Sequence, residues 1–85
     1  MTDFPIVLAN LQKNSRERVR IALDQFQGHD LLDIRVTTQI SDAADVWSPT
    51  RKGIALNVAL LPELRAAIVE AEQKAIALGL IGGDA

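Results

Sequence analysis

Two segments near the middle of the chain alternate between apolar and polar residues, the first within residues 16–25 and the second within residues 31–38. The apolar positions of the two segments are Val19, Ile21, Leu23, Leu32, Ile34 and Val36. A period of two is typical of β-strands that bury one face. Because the polar residues 27–30 between them include Gly28, the pattern predicts a β-hairpin.

Two shorter segments follow the hairpin. Residues 46–51 predict an edge or irregular strand, since Pro49 has no N–H to donate to a neighbouring strand. Residues 54–58 alternate again and predict a fourth strand, and Gly53 between the two segments suits a bulge. The polar, acidic residues 41–45 predict a loop. The connections are too short for parallel crossovers, so the predicted sheet is antiparallel.

After residue 60 the spacing of apolar residues changes from two to three and four, which is the pattern of an amphipathic helix. These residues are Leu61, Leu64, Ala67, Ile68, Ala71, Ala75 and Leu78. Pro62 and Glu63 suit a first helical turn, and Gly79 suits a C-terminal cap. The pattern therefore predicts an α+β domain over residues 16–79, with four strands followed by one C-terminal helix.

The two ends of the chain are less regular. Residues 1–15 contain the apolar run 6–9, which is compatible with a short helix or with an extended arm, and both alternatives stay open. Residues 80–85 include two glycines and predict a flexible tail.

The composition indicates a small protein with more apolar surface than a monomer of this size is expected to bury. The chain has 85 residues, enough for one domain, and 48% of them are hydrophobic. A domain of this size is only marginally stable as a monomer, so part of the apolar surface is expected to pack against a second copy. The helix residues expected in this homodimer interface are Leu61, Leu64, Ile68, Ala71 and Ala75.

Several classes of protein are disfavoured by what the sequence lacks. There is no cysteine, no signal-peptide pattern and no apolar stretch of about 18 residues, so we expect an intracellular protein, cytoplasmic or nucleoid-associated, without a membrane partner. His29 is the only histidine, and no other residue pattern suggests a metal site, a cofactor or a catalytic nucleophile. We therefore expect no enzymatic activity.

The charge is unevenly distributed. The whole chain has a formal net charge of −2, but residues 10–58 hold seven basic against six acidic residues. An anion-binding surface therefore belongs to the middle of the chain. Arg16, Arg18 and Arg20 share one strand face, where they could follow a phosphate backbone or form a solvated surface.

Two aromatic residues lie among polar neighbours. Phe26, beside the turn glycine, could stack on a nucleic-acid base or cap the end of the core. Trp47 lies between the acidic loop and Pro49, where it could pack beneath the loop or provide a second stacking surface.

Three short elements carry a resemblance to a known family. They are residues 26–28 (Phe-Gln-Gly), 32–35 (Leu-Asp-Ile-Arg) and 49–56 (Pro-Thr-Arg-Lys-Gly-Ile-Ala-Leu). In these elements and their spacing, the chain resembles the transcriptional coactivators typified by positive cofactor four, which bind single-stranded DNA. The resemblance covers residues 16–76. It implies a strongly curved four-stranded antiparallel sheet, a helix and a dimer formed through the helices.

The resemblance also implies roles for individual residues. Phe26 takes the position of a base-stacking phenylalanine, Arg35 that of a basic residue, and Arg51 and Lys52 that of a phosphate-binding pair. Arg35 could instead pair only with Asp33. The complete predicted nucleic-acid site is Arg16, Arg18, Arg20, Phe26, Arg35, Arg51 and Lys52.

Two functional hypotheses follow. The first is a non-catalytic homodimer that binds single-stranded DNA, or alternatively RNA, with little sequence preference and acts beside transcription or repair proteins. The second is a protein-interaction or scaffold homodimer on the same fold with weak or no nucleic-acid binding. It is favoured by the acidic net charge and by Gln27, His29 and Thr38, which replace two lysines and a tryptophan of the family pattern.

Overall fold

The fold was analysed in a computed structural model that describes residues 3–41 and 44–82. Its elements in chain order are β1 (Ile6–Gln12), β2 (Glu17–Phe26), β3 (His29–Ser41), β4 (Ala44–Asn57), a 3-10 turn (Val58–Leu60) and α1 (Leu61–Ala77). The strands form one antiparallel sheet in the order β1-β2-β3-β4. The prediction of a curved four-stranded antiparallel sheet followed by one C-terminal helix is confirmed.

The prediction of separate strands at 46–51 and 54–58 is wrong, because both belong to the single strand β4. Between the pairs Arg35–Gly53 and Thr37–Pro49, β3 advances by two residues while β4 advances by four. This bulge over residues 50–52 interrupts the alternation of apolar and polar positions, which is why one strand resembled two.

Strand β1 lies in the N-terminal segment, for which the sequence left two alternatives open. Residues 6–12 are extended and pair with β2. Their alternation is hidden because five of the seven residues are apolar and because the register shifts between Val7 and Ala9. The Asn14 side chain closes the following turn, since its Oδ1 accepts from the backbone N–H groups of Arg16 and Glu17 at 3.0 and 2.9 Å.

The connections between the later strands are shorter than predicted. The β2–β3 turn consists of Gln27 and Gly28, whose φ angles of 52° and 79° are typical of a two-residue hairpin turn. Of the loop predicted over 41–45, Ser41 pairs with Ala44 at the strand ends, while residues 42–43 lie outside the described residues. Residues 83–85 of the predicted tail also lie outside them.

The register gives the sheet two chemically different faces, because directly opposite residues of antiparallel strands share a face. The apolar face carries the predicted inward residues of β2 and β3, together with Leu11, Ile54 and Leu56 from the outer strands. The polar face carries Gln12 from β1, Arg18, Arg20, Ala22, Asp24 and Phe26 from β2, Asp33, Arg35, Thr37 and Gln39 from β3, and Trp47, Pro49 and Gly53 from β4.

The apolar face is only partly covered by α1. None of the residues Leu61–Ala77 is buried, and a groove of about 490 Å³ remains between the helix and the sheet. Among the described residues, the buried ones are Ala22, Leu32, Asp33 and Thr37. Three of these, Ala22, Asp33 and Thr37, lie on the polar face, where the side chains of Arg20 and Arg35 contact Asp33.

The single chain is extended and exposes much surface for its size. Its accessible area is 6580 Å², whereas a folded monomer of 9.2 kDa is expected to expose about 4,900 Å². Its radius of gyration is 15.3 Å, compared with about 12 Å for a compact chain of this length. Within the described residues, no helix combines the length and hydrophobicity needed to cross a membrane.

We predict that Gly53→Ala lowers the free energy of unfolding by roughly 1–3 kcal/mol through backbone strain alone. Gly53 has a φ of 152°, and a Cβ atom there would overlap Ile34 O and lie 2.9 Å from Arg35 Cα. Urea unfolding at fixed protein concentration measures the effect as a lower midpoint. Gly82→Ala is the control, because nothing lies within 4 Å of its added Cβ. Equal midpoints for the two variants would contradict the prediction.

Candidate nucleic-acid interface

Two arginines at the centre of the polar face are held by one aspartate. Arg20 and Arg35 are directly opposite each other on β2 and β3, so their like charges would repel. Asp33 separates them: its Oδ2 lies 3.3 Å from Arg20 Nη2, and its Oδ1 lies 2.8 Å from Arg35 Nη2. Each carboxylate oxygen therefore accepts from one guanidinium, and the two cations are kept side by side.

The bulge in β4 fixes Arg35 from the other side. Arg35 Nη1 donates to the carbonyl oxygen of Arg51 at 3.1 Å. The bulge itself is closed by Thr50, whose hydroxyl donates to Val36 O at 2.7 Å and accepts from the backbone N–H of Lys52 at 3.2 Å. Gly53 leaves room for the guanidinium, because a Cβ atom there would lie 3.2 Å from Arg35 Cζ. The guanidinium is thus held in one orientation.

A second cluster surrounds Arg18 at the end of the polar face. Its guanidinium lies over the indole of Trp47, 3.9 Å from the ring centroid, and its Nε donates to Gln12 Oε1 at 3.0 Å. Asp45 contacts both partners: its Oδ1 accepts from Trp47 Nε1 at 2.6 Å and lies 3.8 Å from Arg18 Nη2. This cluster combines an aromatic ring, a cation and a carboxylate on one surface.

Lys52 extends from the bulge toward the start of β2. Its ammonium lies 4.0 Å from the carboxylate of Glu17. Hydrogen bonds from the Asn14 side chain and then from Lys13 hold the pKa of Glu17 below its usual value. Glu17 is therefore ionised at neutral pH and competes with any phosphate for Lys52. Because Glu17 precedes Arg18 by one residue, it points away from the polar face.

Phe26 lies on the polar face at the end opposite Arg18. Eight residues of strand separate them, or about 26 Å. The Phe26 residue is 62% exposed, so the alternative that it caps the core does not fit the structure. An exposed phenylalanine beside a polar turn is available for contact with a ligand.

The predicted nucleic-acid residues are only partly brought together. Arg18, Arg20, Arg35 and Phe26 share the polar face, whereas Arg16 is exposed just before β2, and Arg51 and Lys52 are exposed in the bulge of β4. The pairing of Arg35 with Asp33, which the sequence left open, is present. In the described part of the chain, no group of three His, Asp or Glu side chains is arranged to hold a metal ion.

Sequence reasoning found only some of the residues that organise this surface, since it named Trp47 and the Asp33–Arg35 pair but neither Gln12 nor the contact of Asp33 with Arg20. Gln12 belongs to a strand that was not predicted, and Trp47 was not assigned to a face because β4 was predicted as two separate strands. Asp33 carried a signal, because it precedes Arg35 by two residues and so shares its face. Its simultaneous contact with Arg20 depends on the hairpin register.

The predicted dimer residues occupy two parts of α1. Leu61, Leu64 and Ile68 line the apolar groove, facing Leu11 and Ile21 of the sheet. Ala71 and Ala75 lie further along the helix, where Ala71 is exposed and Ala75 half-buried.

Comparison with known proteins identifies the family. The family model of the transcriptional coactivator p15 (PC4) matches residues 13–67, which is more than half of the chain. The chain belongs to the PC4 family. The matched segment contains all three elements that carried the sequence resemblance, together with the Asp33 cluster and, apart from Gln12, the cluster around Arg18. No curated protein matches the chain significantly.

Solved structures of PC4 homologues share the fold. A homologue from Burkholderia pseudomallei K96243 is 26% identical in both of its crystal forms. The orthorhombic form has a TM-score of 0.71 over 85% of this chain and 95% of the homologue. The tetragonal form has a TM-score of 0.68 over 80% of this chain and 97% of the homologue. The bacteriophage T5 homologue, implicated in recombination-dependent DNA replication, is 21% identical and has a TM-score of 0.57 over 91% of this chain and 82% of its own.

We predict that Asp33→Asn lowers the free energy of unfolding by about 1–3 kcal/mol, because it leaves two adjacent, partly buried guanidinium groups without their shared counterion. Chemical unfolding at fixed protein concentration measures the loss. The matched control is Asp30→Asn, since Asp30 is exposed and its Oδ1 accepts only from a Gln25 amide at 2.7 Å, a bond that an asparagine can keep. A midpoint for Asp33→Asn equal to that of the control would argue against the bridging role.

Proposed function

We propose that this member of the PC4 family binds single-stranded DNA, without catalysis and with little sequence preference, through the polar face of its sheet. The observation that carries the proposal is the row formed by Arg18, Arg20 and Arg35, which shares that face with the exposed Phe26. Cations that contact the phosphates and an aromatic ring that stacks on any base are the two components of non-specific single-strand binding.

The proposed mechanism divides the basic residues into two groups. Arg20 and Arg35 are oriented in advance by Asp33, so they lose little side-chain entropy when they meet a phosphate. Arg16 lies just before β2, and Arg51 and Lys52 lie in the bulge of the edge strand β4, so these three residues add charge beside the row of arginines. Each phosphate contact releases counterions, so binding by this mechanism weakens as salt rises.

The family indicates the biological setting. PC4 is a transcriptional coactivator, and the bacteriophage T5 homologue is implicated in DNA replication that depends on recombination. We propose that this protein acts inside the cell in transcription or DNA maintenance, where unpaired strands occur. RNA is a second ligand of the same chemistry, because phosphate contact and base stacking do not require a deoxyribose.

We also propose that the protein acts as a homodimer. The single chain exposes about 1,600 Å² more than a folded monomer of its mass, so covering this excess on two chains would bury an area typical of obligate dimers. The groove beside α1 is lined by apolar side chains and Arg65, and Ile68 within it is 58% exposed. A second copy of α1 would fit this groove, because it carries an apolar stripe that matches the apolar lining.

A protein-interaction dimer without strong DNA binding is the second candidate. It is favoured by the balance of charge on the polar face, where Asp24 and Asp33 oppose three arginines and Asp45 lies against Arg18. Salt dependence separates the two candidates, because apolar protein contacts do not weaken as salt rises.

We predict that the protein binds a fluorescent single-stranded oligonucleotide more tightly than the corresponding duplex, and that this binding weakens steeply with salt. Replacing both basic residues of the bulge, Arg51→Ala with Lys52→Ala, should reduce the magnitude of the log–log salt slope by about 1.4, or about 0.7 for each lost contact. Fluorescence anisotropy at several salt concentrations measures both quantities.

The control for charge is Lys74→Ala, compared with Lys52→Ala alone. Both changes remove one lysine, but Lys74 lies in the last turn of α1, away from the sheet. Lys52→Ala should weaken binding more than Lys74→Ala does. Absence of binding at low salt would contradict the proposed function and leave the interaction dimer as the better account.

We predict that Ile68→Asp shifts the protein from dimer to monomer or unfolds it, because a carboxylate would be placed in the apolar groove. Sedimentation equilibrium measures the molar mass, and circular dichroism reports folding. Gln73→Asp adds the same charge at an exposed position of the same helix and should leave the dimer intact. A wild-type protein that sediments as a monomer of 9.2 kDa would refute the homodimer.

A further inference from the structure

Trp47 lies on the polar face of the sheet, opposite the face that carries the apolar side chains. The register pairs it with Gln39 on the polar face, and its ring is covered by the charged side chain of Arg18. Trp47 is not among the buried residues of the described sheet and keeps an intermediate exposure. Its indole N–H is bonded to the exposed Asp45 and not to a buried group. These contacts orient the ring at the surface without contributing it to the core.

We infer that Trp47 is a stacking platform for an unpaired base, with Arg18 binding the adjoining phosphate. The inference rests on the proposed function and adds a second aromatic contact to it, at the opposite end of the polar face from Phe26. The ligand class is single-stranded nucleic acid, because the bases of a duplex are already stacked on one another and present no free ring face.

Of the contacts that hold Arg18 over the indole, the ion pair with Asp45 is weak enough to be exchanged for a phosphate, while the hydrogen bond to Gln12 remains on the same surface. The Asp45 side chain is 80% exposed, and the nearest Arg18 nitrogen is 3.8 Å from it, so the ion pair contributes little. A phosphate is a stronger partner for a guanidinium because it can accept two hydrogen bonds. As the phosphate draws Arg18 away from the ring, the base attached to it takes the place of the guanidinium over the indole.

The positions of the two aromatic rings fit one continuous strand. Trp47 packs on Arg18, and Phe26 lies about 26 Å away along β2, with the Arg20–Arg35 pair between them. A strand that crosses the face would therefore meet a ring, then paired cations, then a second ring. Because the aspartates on this face offset part of the arginine charge, stacking is expected to supply a large share of the affinity.

The chain is well suited to a direct test, because Trp47 is its only tryptophan and it has no tyrosine. Unlabelled oligothymidylate of about 20 nucleotides, long enough to cover one domain, is added while tryptophan emission is recorded. The expected result is saturable quenching. The dissociation constant fitted to it should equal the one measured separately by anisotropy with a labelled oligonucleotide. Emission that stays unchanged while anisotropy reports binding would overturn the inference and leave the proposed function standing.

Variants of Trp47 separate stacking from a purely structural role. Trp47→Leu should weaken binding roughly 5- to 100-fold, and Trp47→Phe should restore much of the loss. The salt slope should stay unchanged in both variants, since no charge is removed. A slope that falls with Trp47→Leu would show that the indole only positions Arg18, and unaltered affinity would show that it has no role; either result refutes the platform. If Trp47→Leu does not fold, the quenching of the wild-type protein decides. If the wild type binds no oligonucleotide at low salt, the inference and the proposed function both fail.

Discussion

The contact on which the polar face depends is that of Asp33 with Arg20 and Arg35. Two arginines directly opposite each other on neighbouring strands repel, and a four-stranded sheet has no second layer on this side to separate them. One carboxylate, 3.3 Å from one guanidinium and 2.8 Å from the other, allows both to remain on the face. The bulge and Gly53 are part of the same arrangement, since they supply the Arg51 carbonyl and the space that Arg35 occupies.

The opposite, apolar face of the sheet is only partly covered by the rest of the chain. A sheet of four strands needs an apolar layer against it, but α1 leaves a groove and has no buried residue of its own. The excess of accessible surface and the large radius of gyration also reflect this incomplete covering of the apolar face. The proposed homodimer would cover this face and would leave both polar faces available, because the groove lies on the other side of the sheet.

Much of the fold could be predicted from the sequence where one residue pattern matches one physical surface. The hairpin of β2 and β3 was accessible because each strand alternates without interruption, and α1 was accessible because its apolar residues recur at three and four. Strand β1 was not, since an almost wholly apolar run of seven residues is compatible with either a helix or a strand. Strand β4 was divided into two because no apolar residue occupies its apolar-face positions from Ser48 to Lys52, where the bulge adds two residues without changing the parity of the pattern. The division into two strands hid the face of Trp47, whereas the faces of Phe26 and of the three arginines of β2 and β3 could be assigned from the alternation in those strands.

The close pairing of arginines with aspartates changes how a nucleic-acid surface of this kind should be understood. Unpaired arginines would bind phosphate strongly, but they would also destabilise the sheet and attract any polyanion. Arginines that are held by aspartates keep a defined orientation, and part of their charge is neutralised. In the proposed complex, discrimination between single-stranded and duplex DNA therefore depends on contacts that only an unpaired base can make. The two aromatic rings at the ends of the face are the side chains there able to make such contacts. In the proposed complex, electrostatics would set the path of the strand, and stacking would determine which kind of strand is accepted.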